Sequence, residues 1–281
     1  MKNLLATLLC LISFCGLTQT VKMMTYNIRF ATPHDGVNEW KLRKSEVSDL
    51  IKKYDPDMIG VQEALLSQIE DIIKDLPDYT YVGVGRDDGK TKGEYSAILF
   101  KKDKFKVRDQ NTFWLSETPE VPGSKHWDAA ITRVATWGRF TDVTSDKEFV
   151  VINTHFDHIG AEARKNSADL LVRKSAKIAK GQPLLVMGDF NCTRDEPPYK
   201  VMISAGTNLK DPAPADPPGT FCTFAVDSIP CKAIDYLFHS TDWTAAKYNV
   251  ITDNDGKYYP SDHLPVMAEF TLGKKNRKKS K

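Results

Sequence analysis

Strand-like apolar runs and helix-period stretches take turns along this chain. "VKMMTYNI" (Val21–Ile28) reads as a strand. In "KSEVSDLIKKYDPD" the residues Val47, Leu50, Ile51 and Tyr54 share one helical face, and the pattern stops before Pro56. "DMIGVQE" is a short apolar run ending in Gln62 and Glu63. "LLSQIEDIIKDLPDY" gathers Leu65, Ile69, Ile72, Ile73 and Leu76 on one face and breaks at Pro77. "YSAILF", "VATWGRF" and "EFVVINTH" read as strands, and "EARKNSADLLVRKSAKIAKGQP" as a helix with Gly181 as its C-cap residue. "LLVMGD", "IDYLFHS", "AKYNVITD" and "LPVMAEF" complete the pattern as further strands and loops. The Pro-rich stretch Asp211–Pro218 is too brief to divide the chain. The expectation is one domain over residues 21–272, with mixed sheets packed face to face and helices outside.

The two ends differ from this body. Residues 1–20 join Lys2 to a mostly apolar run, Leu4 to Leu17, followed by small and polar residues. The run is shorter than the roughly 20 residues of a bilayer span, so it reads as a cleaved secretory signal. Cys15 would suit a lipid anchor, but Phe14 before it is a poor lipobox residue. The protein is therefore expected to be exported, periplasmic or secreted, with no transmembrane segment. The tail at 273–281, "GKKNRKKSK", carries six basic residues. The whole chain has a net charge of +2, and without those six and Lys2 the body stands at −5. An acidic body is not built to grip long nucleic acid over a whole face. An oxidising compartment makes a Cys222–Cys231 bridge a reasonable expectation for "CTFAVDSIPC", leaving Cys192 as the odd thiol.

Several strands end in polar groups: Asn27 and Arg29 in "YNIR", Glu63 in "GVQE", and His155, Asp157 and His158 in "NTHFDH". Asp189 and Asn191 follow in "GDFN", Asp235 in "IDYLF", and Asp262 and His263 in "SDHLP". The set is rich in oxygen donors and poor in Cys, which suits Mg²⁺ or Mn²⁺ better than zinc. Each residue alone has an ordinary structural reading, as a turn, a cap or a hydrogen-bonded histidine. In this order they form a set.

That ordered set resembles the endonuclease/exonuclease/phosphatase, or DNase I-like, superfamily over nearly the whole mature chain. "DGVNEWKLRK", "GVGRDDG", "TRVATWGRF" and "NTHFDHIG" look most like exported bacterial members grouping loosely with the deadenylase-like branch. The resemblance implies an α+β fold, a four-layer α/β/β/α sandwich of two mixed sheets with helices outside. It implies a Mg²⁺- or Mn²⁺-dependent hydrolase, expected to be monomeric, whose substrates are phosphate esters: nucleic-acid ends, nucleotides, or lipid or sugar phosphates. The alternative is a non-catalytic phosphate-ligand binding module on the same fold.

The resemblance also implies roles. Glu63 would be the principal metal ligand, with Asn27 and Asp262 near the ion. Asp189 would position and deprotonate the attacking water, and Asn191 would hold that water or a phosphate oxygen. His263 would be the acid–base or phosphate-contacting imidazole oriented by Asp235. His155 would donate to a non-bridging oxygen and be oriented by Glu94, while Arg133 would contact phosphate. His158 is either a second phosphate donor or a structural loop residue. Trp40 and Trp127 would stack on a base or sugar, or pack at the rim.

Overall fold

The computed structural model describes residues 20–273. The expected signal and basic tail lie outside the described residues, save for Thr20 and Gly273 at their inner ends. The first half of the chain runs β1 (Thr20–Asn27), α1 (Trp40–Tyr54), β2 (Met58–Ala64), α2 (Leu66–Asp75), β3 (Tyr79–Val82), β4 (Tyr95–Lys101), β5 (Phe105–Trp114) and β6 (Val134–Asp142). The second half runs β7 (Glu148–His155), α3 (Ala161–Ala179), β8 (Leu184–Asp189), α4 (Pro197–Met202), β9 (Leu209–Lys210), β10 (Asp235–Ser240), β11 (Trp243–Val250) and β12 (Val266–Leu272).

Twelve strands form two six-stranded mixed sheets, ordered β11-β12-β1-β2-β4-β3 and β5-β6-β7-β8-β10-β9. Each sheet has one parallel pair near its middle, β1 with β2 and β7 with β8. A parallel pair needs a crossover, and α1 and α3 supply it. The helices end where their sequences predict: α1 stops ahead of Pro56 and α2 ahead of Pro77. At the end of α3 the left-handed cap is Lys180 (φ 48°), one residue ahead of Gly181, which also has positive φ.

Three apolar clusters separate four layers. Val47, Ile51, Ile69 and Ile72 of α1 and α2 pack on Met24, Ile59 and Leu99. Ala168 and Leu171 of α3 pack on Val150, Val186 and Phe238. Between the sheets lie Met23, Met58, Phe140, Phe149, Met187, Leu237 and Phe270. This is the α/β/β/α sandwich that the resemblance implies.

Strand periodicity then builds the site. Successive side chains face opposite ways. In β1, Val21 and Met23 face the inter-sheet core while Met24 and Tyr26 face the helices. In β7 Phe149 and Val151 face inward, and in β8 Leu185 and Met187 do. Continuing each inward row toward one rim reaches Thr25 and Asn27, then Asn153 and His155, then Asp189. The face that is apolar in the middle of the sandwich thus becomes polar at one end.

A buried polar clasp crosses the sandwich just beneath that end. Gln62 Nε2 donates to Asn153 Oδ1 (2.6 Å) and Thr25 Oγ1 (3.0 Å), and Asn153 Nδ2 donates to the carbonyls of Val61 (2.9 Å) and Ala97 (2.8 Å). A buried amide left unpaired costs roughly 1–3 kcal/mol, so these bonds keep the two sheets in one register. Gly60 makes the approach possible, since a Cβ there would lie 2.7 Å from Asn153 Oδ1.

Candidate active site

His155, Asp189 and Asp235 stand directly opposite one another on the adjacent strands β7, β8 and β10. Gly188 lets β7 and β8 meet there, because a Cβ would sit 2.1 Å from the Thr154 carbonyl oxygen. The other sheet contributes Asn27 from the end of β1 and Glu63 from β2. Alternation alone would turn Glu63 away from inward-facing Gln62. The pairing of β2 with β4 slips between Val61 and Ala64, and Glu63 takes a positive φ of 59°. Such an irregularity re-aims a side chain, and here it brings the Glu63 carboxylate to the rim. Asp262 and His263 arrive on the loop before β12.

Arg43 of α1 binds the two loops of this half together. It donates to the carbonyls of Ile28 and Arg29 (2.8 Å each) and Pro260 (3.0 Å). Ser261 Oγ also donates to the Asn27 carbonyl (2.8 Å). The segments after Asn27 and before Asp262 are therefore held as one piece.

The resulting pocket, about 280 Å³, is lined by Glu63, Glu94, Arg133, His155, His158, Asp189, Asn191, Asp262 and His263, among others. Asn27 and Asp235 lie behind this wall and bond to it. His263 Nδ1 donates to Asp235 Oδ2 (2.9 Å), which also accepts from Thr220 Oγ1 (2.6 Å). Burial opposes charge on His263, yet Asp235 and Asp189 outweigh it and raise its pKa to about 10. His263 is thus an imidazolium at neutral pH, with Nε2 3.7 Å from Asp189 Oδ2. Burial, reinforced by Asp235 and opposed by His263, pushes the Asp189 carboxyl up to about 7.

His155 is the opposite case. Arg133 Nη1 lies 2.9 Å from its Nδ1, and a guanidinium can only donate. Nδ1 therefore accepts and the ring proton sits on Nε2, 3.3 Å from Asp189 Oδ2. Asn191 Nδ2, held by its bond to the Phe156 carbonyl (3.0 Å), also lies 3.1 Å from Nε2, but two N–H donors meet there, so this second approach is no hydrogen bond. Burial, and next to it the charge of Arg133, holds the His155 pKa well below the ordinary imidazole value. Arg133 Nη2 meets Nδ1 of the exposed His158 at 3.3 Å in the same manner. One guanidinium presents two neutral histidines as Nε2–H donors.

Several expectations are corrected here. Glu94 does not orient His155: it accepts from Arg86 Nη1 (2.6 Å) and lies 3.8 Å from Arg133 Nη1, acting behind the guanidinium. Asn27 turns its amide nitrogen to Glu63 Oε1 (3.2 Å) and Asp189 Oδ2 (3.0 Å), while its oxygen accepts from Arg29 N (3.0 Å). It bridges two carboxylates, and only a turned amide would offer oxygen to an ion. Trp40 is buried, with Nε1 donating to Asp71 (2.8 Å), and half-buried Trp127 packs on the α3-side core. Both tryptophans are packing aromatics. Asp157 accepts four backbone N–H bonds, from Ala130, Ile131, Ile159 and Gly160, and so shapes the loop that carries His158. Arg86, Thr220 and Arg43 support the site and were not singled out in the sequence. Thr220 and Arg43 reach it from distant segments, and only the basic residue in "GVGRDDG" gave a local hint.

Two groupings could hold a cation. Asp189, Asp235 and His263 offer ligand atoms within 4.8 Å of one another. A protonated His263 has no lone pair to give, and Asp235 Oδ2 is engaged by two donors, so that grouping is an imidazolium hydrogen-bonded to Asp235 and ion-paired with Asp189. Glu63 and Asp262 fit better. Burial raises the Asp262 carboxyl, His263 opposes the rise, and the charge of Glu63 adds to it. Two carboxylates that repel each other at a pocket wall are the donor chemistry a hard divalent ion relieves.

The profile of the Endonuclease/Exonuclease/phosphatase family matches residues 24–263, which takes in every residue of this site. The chain belongs to this family. A Bacteroides vulgatus endonuclease/exonuclease/phosphatase structure is 39% identical with a TM-score of 0.85, over 90% of this chain and 99% of that one. A mannosyl-6-phosphatase from Bacteroides thetaiotaomicron is 36% identical with a TM-score of 0.83, over 89% and 99%. Nocturnin of Drosophila melanogaster is 25% identical over 83% of this chain and 42% of its own length. Family membership makes the chain a phosphoesterase- or nuclease-like hydrolase acting on phosphate esters.

Proposed function

We propose that this protein is an exported, monomeric, divalent-metal-dependent hydrolase that cleaves small phosphate esters, phosphodiesters foremost, by direct attack of water. The observation that carries the reading is the in-register row His155–Asp189–Asp235 with His263 clamped across it. A buried carboxylate titrating near neutrality is suited to take a proton from water. The His263 imidazolium, held by Asp235, and the Nε2–H of neutral His155 are suited to donate to phosphate oxygens as negative charge builds on them. Asn191, at the turn after Asp189, would orient water or a phosphate oxygen without adding charge. Glu63 and Asp262, with Asn27 beside them, would hold Mg²⁺ or Mn²⁺. Such an ion supplies charge neutralisation at the phosphate when bound.

The non-catalytic alternative has little support, because a binding module has no use for a carboxylate and a clamped imidazolium facing each other. For substrate, the small pocket and the acidic body both favour short esters over long polyanions. The likeness to a mannosyl-6-phosphatase adds sugar phosphates to nucleotides and short phosphodiesters as candidates. Export is supported by the composition of residues 1–20 and by the Cys222–Cys231 disulfide.

The test assays bis(p-nitrophenyl) phosphate and p-nitrophenyl phosphate with Mg²⁺, with Mn²⁺ and with EDTA. Turnover that EDTA abolishes and either metal restores is expected. Turnover indifferent to EDTA, or none under any condition, would overturn the reading.

A further inference from the structure

A second cavity of about 530 Å³ adjoins the pocket and shares His158, Asn191, Phe221 and Ile234 with it. Arg164, Thr193, Glu196 and Lys232 complete its wall. Donors without acceptors accumulate there. Arg133 occupies Nδ1 of His158, so the free group of that ring is Nε2–H. Arg164 donates from Nη1 to the Asp157 carbonyl (3.2 Å), but its buried Nε–H has no acceptor among the described residues. Lys232 takes no part in any ion pair among the described residues. Glu196, the carboxylate in this wall, is already engaged. Its Oε2 accepts from Thr193 N (2.7 Å) and Oγ1 (3.1 Å), and its Oε1 lies 3.8 Å from Arg164.

The exposed Lys232 is also held in place. Its backbone exchanges two hydrogen bonds with Phe221 (2.9 and 3.0 Å), and the Cys222–Cys231 disulfide closes the hairpin directly beyond them. Phe221 in turn packs on the His263 ring, with centroids 4.9 Å apart. A cationic, donor-rich cavity on an acidic body is a local reversal of charge, and it opens onto the site of reaction.

We infer that this cavity is an anion subsite for a second phosphate group of the substrate, held beside the phosphate that is cleaved. The inference rests on the hydrolase reading above and narrows it. Arg, Lys and imidazole N–H groups are the usual partners of phosphate oxygens, and the volume lies in the range of small-ligand sites. The second phosphate could belong to a sugar bisphosphate or to the end of a short oligonucleotide.

The test compares matched pairs with the full chain at saturating Mg²⁺: a hexose monophosphate against the corresponding bisphosphate, and a dinucleotide with and without a 5′-phosphate. Preference for the doubly phosphorylated member of at least one pair, by about tenfold in kcat/KM and through KM, is expected. A preference confined to one pair identifies the source. Lys232→Ala should bring the ratio to within about twofold of one, and Arg164→Gln should lower it as well. Equal kcat/KM within both pairs overturns the inference, as does a ratio that Lys232→Ala leaves unmoved. Calorimetric titration in EDTA with the hexose monophosphate and bisphosphate reads binding without turnover. If no ester is hydrolysed but the bisphosphate binds more tightly and Lys232→Ala removes the difference, the hydrolase reading fails and the subsite stands.

Discussion

Arg133 donates to His155 Nδ1 across 2.9 Å, and this one contact decides which proton the histidine can offer. A ring that accepts at Nδ1 must donate at Nε2, toward Asp189 and the pocket. Arg133→Met should release both His155 and His158 from that tautomer, lowering kcat by about 10²-fold, the cost of a lost oxyanion donor. Burial still depresses the His155 pKa in the variant, but the neighbouring positive charge is gone. The His155 pKa should therefore rise, which a pH titration of its ring ¹⁵N shifts follows. Arg133→Lys, which keeps the charge and one donor, should restore part of the rate. The same shifts report the tautomer directly, and a variant whose ring shifts and their titration match wild type would refute the assignment.

Asp189→Asn should abolish turnover, by about 10²–10⁴-fold or more, and also stabilise the fold. Burial raises the Asp189 carboxyl to about 7, against about 3.9 in an unfolded chain. The stability contributed by the protonated group is fully present below the unfolded value and is lost as pH rises through the folded one. At pH 7.5 the ionised carboxylate is therefore a cost, and removing it should raise Tm by about 3 °C, with the gain shrinking toward pH 4. Calorimetric melts from pH 4 to 8 measure this. A Tm at or below wild type at pH 7.5 would contradict it.

Glu63→Gln should act on metal rather than on the acid–base pair. The Mg²⁺ concentration for half-maximal activity should rise about 10–100-fold while the rate at saturating Mg²⁺ falls much less. Unchanged Mg²⁺ dependence would move the ion elsewhere.

Cys222 and Cys231, nine residues apart, form a disulfide, and Cys192 is buried and free. In the protein without residues 1–20, mass analysis after thiol labelling should find Cys192 alone, and only after denaturation. A bridge over so short a loop is worth about 2–3 kcal/mol in the chain-entropy model, so Cys222→Ala/Cys231→Ala should lower Tm by several degrees. Its KM should also rise, because Phe221 and Lys232 lose their clamp.

The strand-end residues were legible because a buried run that finishes on polar groups breaks the period-2 pattern at a definite place: Asn27, Glu63, His155 and Asp189 announce themselves this way, while Asp235 opens its strand. What lay beyond the sequence was direction and partnership. Whether Asn27 presents oxygen or nitrogen depends on the backbone N–H of Arg29. Whether Glu94 or Arg133 meets His155 is settled by which reaches the ring across two strands. Trp40 sits beside charged residues in sequence, so its burial in the core under α1 and α2, with Arg43 over its ring and Asp71 on its N–H, could not be read there. Thr220 and Arg43 act over long sequence separations, and nothing in their local sequence marks them.

The clasp between Gln62 and Asn153 joins two incomplete halves. One sheet brings Asn27 and Glu63, and the other brings His155, Asp189 and Asp235, so neither half has the means to act. A refolding chain in which both sheets have formed but have not yet met would show full far-ultraviolet dichroism and no hydrolysis. Recovered activity after dilution from denaturant is thus a clock for the last assembly step. Asn153→Ala should slow that clock well beyond any delay in the return of the dichroism signal.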